Sequence, residues 1–400
     1  MSAAETDRID GVDALRGFAL LGILLVNIGA FASAFYGQDI PDPAFDAPLD
    51  RGLRFLVSLL FEAKFYLLFS FLFGYSFTLQ MRSAERAGAS LTQRLRRRLA
   101  GLFLFGALHA VLLFHGDILT TYALLGFALL ALRQRDDARL LRLAAWLVGL
   151  TALLWGLLAG LLSLEPLPPD RATILAEVEA ATRAYRDSAV GVVAQHLREL
   201  PGVGAVLLFV QAPCALAMFL LGLVAGRREM LARVREHQGL ARRLIGLGLG
   251  IGLPGAAFYA YSAVYLADSP ALTLAGFAVG LATAPLLTGA YIALAMRGFE
   301  RSPALRRLFA PAGRMALSNY LLQSAVCALI FHAYGLGLIG RLGPLPVLGI
   351  ALTLFALQLL LSRWWMDRFA YGWLEWLLRA ITLGRWPAWR KAGLIRPAGP

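Results

Sequence analysis

Charged residues are scarce in this chain: they make up 16% of its 400 residues, against roughly 25% in a typical soluble protein. Hydrophobic residues account for 59%, and the mean hydropathy is +0.66. Several apolar runs contain about 18 residues or more, which is long enough for a helix to cross ~30 Å of hydrocarbon. The sequence therefore excludes a soluble globular protein and predicts an all-α polytopic membrane protein.

Cysteine is also nearly absent, and the common motifs of metal and nucleotide chemistry are missing. Cys214 and Cys327 both lie inside apolar runs, where cysteine usually packs as a small hydrophobic residue. They exclude a disulfide scaffold and lack the spacing of zinc ligands. The sequence contains no phosphate-binding loop, zinc-protease helix motif or serine-hydrolase elbow. We therefore expect no metal site.

Lysine occurs only at Lys64 and Lys391, so the net charge of +13 is almost entirely carried by arginine. The arginines form short clusters between apolar runs, as the positive-inside rule predicts for a membrane protein. We therefore expect the lipid bilayer, and no nucleic acid, as the partner of this positive charge.

The apolar runs predict about ten transmembrane helices. Arginines cluster in the connectors after the second, fourth, sixth and eighth of them and in the tail, whereas the other loops are neutral or acidic. This alternation places both termini in the cytoplasm. The third and fourth spans are joined by a very short turn, so they either cross the membrane fully or form a re-entrant hairpin. The predicted spans are residues 14–36, 52–80, 99–115, 117–132, 140–163, 202–226, 243–266, 271–297, 314–338 and 344–363.

The chain is predicted to form one membrane domain with four parts. Residues 1–163 hold five helices, residues 164–201 form an extracytoplasmic segment, residues 202–363 hold five more helices, and residues 364–400 form a basic cytoplasmic tail. Pro166, Pro168 and Pro169 are expected to end the fifth helix. The segment after them predicts one or two amphipathic helices on the outer surface, which either cover part of the protein or simply connect the two halves.

Polar residues inside the first two spans are candidates for a functional site, because such groups are costly in hydrocarbon. Asp13, Arg16 and Asn27 lie on one side of the first helix, since positions eleven apart return to nearly the same face. In the second span, Glu62 is either an ion-pair partner of Arg16 or Lys64, or a proton acceptor or orienting group for a catalytic residue. Lys64 and Tyr66 are further substrate-binding candidates.

His109 is the candidate general base, because imidazole titrates near neutrality. It lies inside the third span, with Asp117 at the turn that follows. The alternative is a histidine that only forms a hydrogen bond between helices. In the ninth span Ser318, Asn319 and Gln323 follow Arg314, and they either bind an anionic ligand or hold helices together.

Five ordered motifs resemble the bacterial YeiB-like (DUF418) membrane proteins over essentially the whole chain. The opening helix is more distantly similar to the transmembrane acyltransferase superfamily, which includes the acyltransferase-3 proteins and heparan-α-glucosaminide acetyltransferase. The motifs are RIDGVDALRGFALLGILLVNI, KFYLLFSFLFGYSF, LHAVLLFHGDILTTYALLG, GRMALSNYLLQS and FAYGWLEWLLR.

The distant resemblance implies a transmembrane-acyltransferase-like bundle in the bacterial cytoplasmic membrane, which passes an acyl group from cytoplasmic acyl-CoA to an extracytoplasmic glycan or lipid-linked sugar. Arg16 matches the family arginine, but the position of the acyltransferase-3 histidine is Asn27. His109, oriented by Asp117 or Glu62, is then the expected base. Arg96, Arg97 and Arg314 are expected to bind the acyl-CoA phosphates. The sequence leaves open whether the protein forms a homodimer.

Two other hypotheses fit the same polar residues. A proton-coupled transporter or exporter of a small metabolite would use them as a substrate path. A membrane scaffold would use them only to hold its helices together.

Overall fold

The computed structural model describes residues 3–38, 40–164 and 170–391, and within these ranges the chain folds into sixteen helices. The first eight are α1 (Ala3–Ala32), α2 (Pro48–Leu60), α3 (Lys64–Arg86), α4 (Leu91–Leu112), α5 (Leu119–Leu132), α6 (Asp137–Leu164), α7 (Arg171–Asp187) and α8 (Ala189–Val206). The last eight are α9 (Ala212–Arg227), α10 (Gln238–Leu247), α11 (Leu253–Tyr265), α12 (Pro270–Arg301), α13 (Pro303–Arg314), α14 (Ala316–Phe331), α15 (Pro344–Arg368) and α16 (Trp373–Leu383).

The prediction of an all-α polytopic membrane protein is confirmed. In the described ranges, seven helical stretches are long and apolar enough to cross a membrane: α1, α2–α3, α6, α8–α9, α10–α11, α12 and α15. The bent pair α13–α14, with a bend of 76° at Met315, can form an eighth crossing. We call the arginine-rich end of the bundle the cytoplasmic end, as the predicted topology requires.

The remaining two of the ten predicted spans are α4 and α5, and both are short for a crossing. The first two turns of α4 carry the arginine run 94–98, so only its second half is apolar. With 14 residues, α5 is about 21 Å long, less than the ~30 Å of hydrocarbon. The short apolar length of both helices favours the re-entrant form of the hairpin.

The segment predicted as an extracytoplasmic loop is mostly helical and joins the membrane helices directly. Only α7 is a separate helix, because α8 begins at Ala189 and continues through a π-helical turn, Leu207–Gln211, into α9. The predicted sixth span therefore starts 13 residues before residue 202. The proline break at Pro166, Pro168 and Pro169 lies outside the described residues, as does the tail from residue 392.

Several described helices touch backbone to backbone at glycines, most closely α3 with α9 and α1 with α13. A Cβ atom on Gly74 of α3 would overlap the carbonyl oxygen of Phe219 in α9, and one on Gly222 of α9 would overlap that of Phe71 in α3. Small residues allow this approach, and association in lipid depends on such close packing. Helices α1 and α13 cross in the same way at Gly17 and Gly313.

We predict that Gly222→Ala lowers the stability of the protein by about 1–3 kcal/mol, because the added methyl group forces α9 away from α3. Gly160→Ala is the matched control, since a Cβ there meets no atom within 4 Å and alanine favours helix. Thermal unfolding in detergent measures both variants. Equal melting temperatures for the two variants would contradict the packing argument.

Candidate functional site

A cavity of about 480 Å³ lies between α1, α3, α4, α5, α14 and α16. Along α3 its wall extends from Ser83 near the cytoplasmic end to Phe69, which is fourteen residues or about 21 Å of helix. Leucines are the commonest residues of the wall, and Ile118, Tyr122 and Tyr320 lie at its inner end. The cavity is a partly apolar tunnel from the cytoplasmic side to the depth of the α4–α5 turn.

Five arginines line this cavity, namely Arg16, Arg94, Arg98, Arg314 and Arg379, against a single carboxylate, Glu375. In the described part of the chain, Arg94, Arg98 and Arg314 form neither a hydrogen bond nor an ion pair, and the Arg98 Nε is buried without a partner. Arginines with free donors in a partly enclosed space favour a phosphate or carboxylate ligand.

The other two arginines have internal partners. Arg16 forms an ion pair with Asp13 and donates from Nη2 to Ser76 Oγ at 2.5 Å. The Arg379 guanidinium lies 4.8 Å from the centre of the Tyr371 ring. Asp13 and Arg16 therefore share one face, as predicted, but their charges are directed mainly at each other and at α3.

Glu375 fixes α16 as one wall of the cavity. Its Oε1 accepts the backbone N–H groups of Leu317 at 2.7 Å and Ser318 at 3.1 Å, and its Oε2 accepts the Ser318 hydroxyl at 2.5 Å. These donors belong to the first turn of α14, so a carboxylate from another helix, α16, caps the start of α14. Burial raises the pKa of Glu375, and the hydrogen bonds from Ser318 and Leu317 oppose this effect.

The arginines predicted on α4 need a correction, because they lie on the side of this helix that faces away from the cavity. Arg96 and Arg97 are exposed and lie outside the cavity wall, whereas Arg94 and Arg98 face into it. Positions 94 and 98 differ by about 40° around a helix, and position 96 lies on the opposite side. Arg314 lines the cavity.

His109 and Asp117 form a buried pair across the α4–α5 turn. The His109 Nδ1 lies 2.8 Å from Asp117 Oδ1, and both side chains are at most 1% exposed. Asp117 Oδ2 accepts the backbone N–H of Thr120 at 2.8 Å and its hydroxyl at 2.9 Å. A carboxylate that accepts from Nδ1 leaves Nε2 as the basic nitrogen, which is the arrangement of a general base.

Tyr320 connects this pair with the cavity. Its ring centre lies 5.1 Å from that of His109, and its side chain also lines the inner end of the cavity. The His109 Nε2 and the Tyr320 hydroxyl are both buried, and neither has a hydrogen-bond partner among the described residues. The cavity wall at Tyr320 is therefore the place where a ligand comes nearest to the imidazole.

The predicted roles of Glu62 need a correction, because it contacts neither Arg16 nor His109. Its carboxylate accepts hydroxyl groups from Ser58 at 2.6 Å, Tyr36 at 2.9 Å and Tyr259 at 3.2 Å. The reason is a break between α2 and α3 at Ala63, where φ is +64°. This break turns Glu62 towards α11 and the extracytoplasmic end of α1.

Lys64 lies on the other side of the same break and is 1% exposed. Its Nζ donates to the Ser58 carbonyl at 2.7 Å, near the end of α2, and forms no direct ion pair with Glu62. The Tyr66 carbonyl accepts the hydroxyl groups of Ser70 and Tyr122. Neither Lys64 nor Tyr66 lines the cavity.

The amides of the ninth predicted span hold helices together. Asn319 donates to the Ala312 carbonyl at 3.0 Å and to Ser362 at 2.9 Å, and Gln323 donates to Gln358 of α15 at 2.8 Å. Ser318 is occupied by Glu375. None of these three predicted ligand-binding residues lines the cavity, and neither does Asn27, which lies half-buried on α1.

A second polar cluster, which we call the outer cluster, lies at the extracytoplasmic end and consists of His115, Tyr185, His196, Glu199 and His332. The Tyr185 and His332 rings stack at 4.4 Å, and His115 Nδ1 lies 3.0 Å from Glu199 Oε2. His196 Nδ1 donates to the Val111 carbonyl at 3.0 Å, which covers the end of α4. His196 Nε2 and both His332 nitrogens are buried without partners.

Several of these residues do not follow from the sequence alone, and only some of them belong to a pattern that could have indicated them. Leu91, Arg94, Leu95, Arg98 and Leu102 recur at helical spacing and all line the cavity, so the apolar period of α4 indicates which arginines face inward. Glu375 and Arg379 lie in a segment taken for a tail. The outer cluster combines α7, α8 and two turns, and no local pattern predicts that meeting.

Comparisons with known proteins agree on one family. A family model described as "Protein of unknown function (DUF418)" matches residues 225–385. The chain is 32% identical to the "Uncharacterized protein YxaH" of Bacillus subtilis, over 95% of each chain. It is 31% identical to the "Uncharacterized protein YeiB" of Escherichia coli, over 93% of this chain and 95% of that one. A "39.9 kDa protein in amylase 3'region" of Bacillus acidopullulyticus is 28% identical over 96% of each. The three relatives match over nearly the whole length of the chain, and the chain belongs to the YeiB-like (DUF418) family.

Proposed function

We propose that this protein is an acyltransferase of the bacterial cytoplasmic membrane, which moves an acyl group from cytoplasmic acyl-CoA to an extracytoplasmic hydroxyl or amine. The observation that carries the proposal is the His109–Asp117 pair, whose free Nε2 lies behind Tyr320 at the inner end of a basic tunnel. A base at membrane depth that meets a cytoplasmic cavity suits a reaction between substrates from opposite sides.

The donor substrate fits the two ends of the cavity. Arg94, Arg98 and Arg314 offer free guanidinium donors for the phosphates of CoA at the cytoplasmic end. The apolar walls along α3 and α4 accept the extended thiol arm and the acyl group. Fourteen residues of α3 give a path of about 21 Å from Ser83 to Phe69, so the thioester is placed towards Tyr320.

The reaction then proceeds as a general-base acyl transfer. The acceptor oxygen attacks the thioester carbonyl, a C–O bond forms, and the acceptor proton passes to His109 Nε2. Asp117 holds the imidazole in this tautomer and stabilises its positive charge. The intermediate breaks its C–S bond, His109 returns the proton to sulfur, and the products are the ester and free CoA thiol.

Tyr320 is the residue best placed to stabilise the negative charge that develops on the carbonyl oxygen. Its hydroxyl is buried, has no partner, and lies beside His109 at the inner end of the cavity. A donor held in such a position acts most strongly on the transition state. Arg16 lies towards the cytoplasmic side and is paired with Asp13, so it positions the donor rather than the reacting carbonyl.

The direct test is binding and transfer with labelled acetyl-CoA and envelope glycans or lipids extracted from a bacterium. His109→Ala is expected to lower transfer by about 10²–10⁴-fold while CoA binding persists. Arg98→Ala is expected to weaken CoA binding about 10–100-fold, because a charge-assisted contact is lost. Arg96→Ala is the matched control and keeps wild-type affinity, since Arg96 is exposed outside the cavity. Absence of CoA binding by the wild type would refute the proposal.

The hydroxyl of Tyr320 allows a finer prediction. Tyr320→Phe keeps the ring against His109 and is expected to lower kcat by about 10²–10³-fold with little change in KM for the donor. Tyr291→Phe serves as a control, because its hydroxyl binds the Leu60 carbonyl away from the cavity. A rise in KM at constant kcat would assign Tyr320 to donor binding instead.

One observation favours the second hypothesis, a proton-coupled transporter. The break at Ala63 places Glu62 and Lys64 at membrane depth beside an unwound turn, and such breaks line ion and substrate paths in transporters. In proteoliposomes a transporter would show metabolite uptake driven by a proton gradient, and Glu62→Gln would abolish it. Wild-type uptake by the Glu62→Gln variant would refute a role of the Ala63 break in transport.

A further inference from the structure

A second concave site lies at the extracytoplasmic end, on the lipid-facing side of the bundle. It is a groove of about 650 Å³ between the end of α4, the start of α8 and the end of α14. Its wall is apolar except at Tyr334; it includes Leu113, Val190, Val193, Ala325 and Leu329.

The groove opens to the bilayer. Val190 is 79% exposed and Leu329 is 51% exposed, and neighbouring Leu112 and Leu108 of α4 also face outward. Large apolar side chains exposed on a membrane protein face hydrocarbon. An apolar concavity that is continuous with this surface therefore suits a hydrocarbon chain.

One residue of the groove wall, Tyr334, brings a polar group to this apolar site. The Tyr334 hydroxyl is buried without a partner, and two residues earlier both His332 nitrogens are buried without partners. His332 is 2% exposed and stacks on Tyr185 of the outer cluster. Buried polar groups in proteins nearly always form hydrogen bonds, so the Tyr334 hydroxyl at the groove wall can bond a ligand that offers hydroxyl groups.

The groove also adjoins the proposed base. The backbone N–H groups of Leu113 and Phe114 both donate to the His109 carbonyl at 2.9 Å, so the groove wall and His109 are one turn apart on the same helix. The Phe114 ring lies 6.2 Å from the His109 ring and stacks on Phe31, which faces His332. A molecule with its tail in the groove would have its headgroup beside these rings.

We infer that the groove binds the hydrocarbon chain of a hydroxyl-bearing lipid of the outer leaflet, with its headgroup at Tyr334 and His332. That this lipid is the acyl acceptor rests on the proposed function. From the water side the cluster is partly covered: Tyr185 is 3% exposed and His196 is fully buried, whereas the side chains of His115 and Glu199 are 18% and 26% exposed. The groove provides the open route from the membrane, so a lipid-anchored acceptor fits the site better than a soluble sugar.

The test is photolabelling with an alkyl glycerol that carries a diazirine in its chain, using the full-length protein in nanodiscs. We expect labelling to concentrate on the peptides that contain Leu113, Val193 and residues 325–334. Ala325→Trp fills the groove and is expected to reduce this labelling at least tenfold. Ala145→Trp is the matched control, because Ala145 is an exposed alanine of α6 outside both cavities.

Val193→Trp fills the groove from α8 and guards against misfolding of the first variant, which thermal unfolding also checks. Labelling that is spread over all lipid-facing helices, or unchanged in both groove variants, would overturn the lipid site. Because labelling needs no acyl donor, confined labelling without any transfer from acetyl-CoA would uphold the lipid site and refute the proposed transfer. Equal transfer to glucose and to dodecyl glucoside, unchanged by Ala325→Trp, would instead refute the lipid acceptor.

Discussion

The contact of helix backbones at glycine is the constraint on which the rest of this structure depends. In hydrocarbon the helices gain no hydrophobic free energy from touching one another, so close packing must hold them. Gly74 and Gly222 join α3 to α9, and Gly17 and Gly313 join α1 to α13. These crossings hold α3 against α9 and α1 against α13, the helix that leads into α14. The basic cavity lies between α1, α3 and α14, and α4, α5 and α16 form its other walls.

Polar groups inside this framework fall into two classes, and the difference separates architecture from chemistry. Lys64, Asn319 and Glu375 are buried but have internal hydrogen bonds that cap or join helices. Arg98 Nε, His109 Nε2 and the Tyr320 hydroxyl are buried without partners. A buried polar atom that stays unbonded reduces stability, so the second class marks the places where the protein keeps binding capacity for something else.

The sequence predicted what depends on local pattern and failed where the answer depends on rotation or distance. The apolar runs predicted the helices, and the arginine clusters predicted which end of each helix lies at the arginine-rich side of the bundle. The short spacing between His109 and Asp117 allowed their pairing to be foreseen, because a single turn connects them. The choice of Arg96 and Arg97 failed because it ignored which side of α4 faces the bundle. Glu62 was misassigned because no local sequence pattern predicts the break at Ala63. The contact between the regions of His196 and His332 could not be predicted either, because 135 residues separate them in the sequence.

The continuity of α8 and α9 has a mechanical consequence. One helical rod reaches from His196, which holds the tip of the α4–α5 hairpin, to Arg227, which donates to the carbonyls of Arg133 and Arg135 at its base. The continuous helix α8–α9 therefore contacts the α4–α5 hairpin at both of its ends. A tilt of this helix at one end moves its contacts at the other end. The π-helical turn Leu207–Gln211 lies between these contacts. Since π-helical turns are places where helices bend, a movement of the hairpin tip can either be passed along this helix to the contacts of Arg227 or be taken up at the turn.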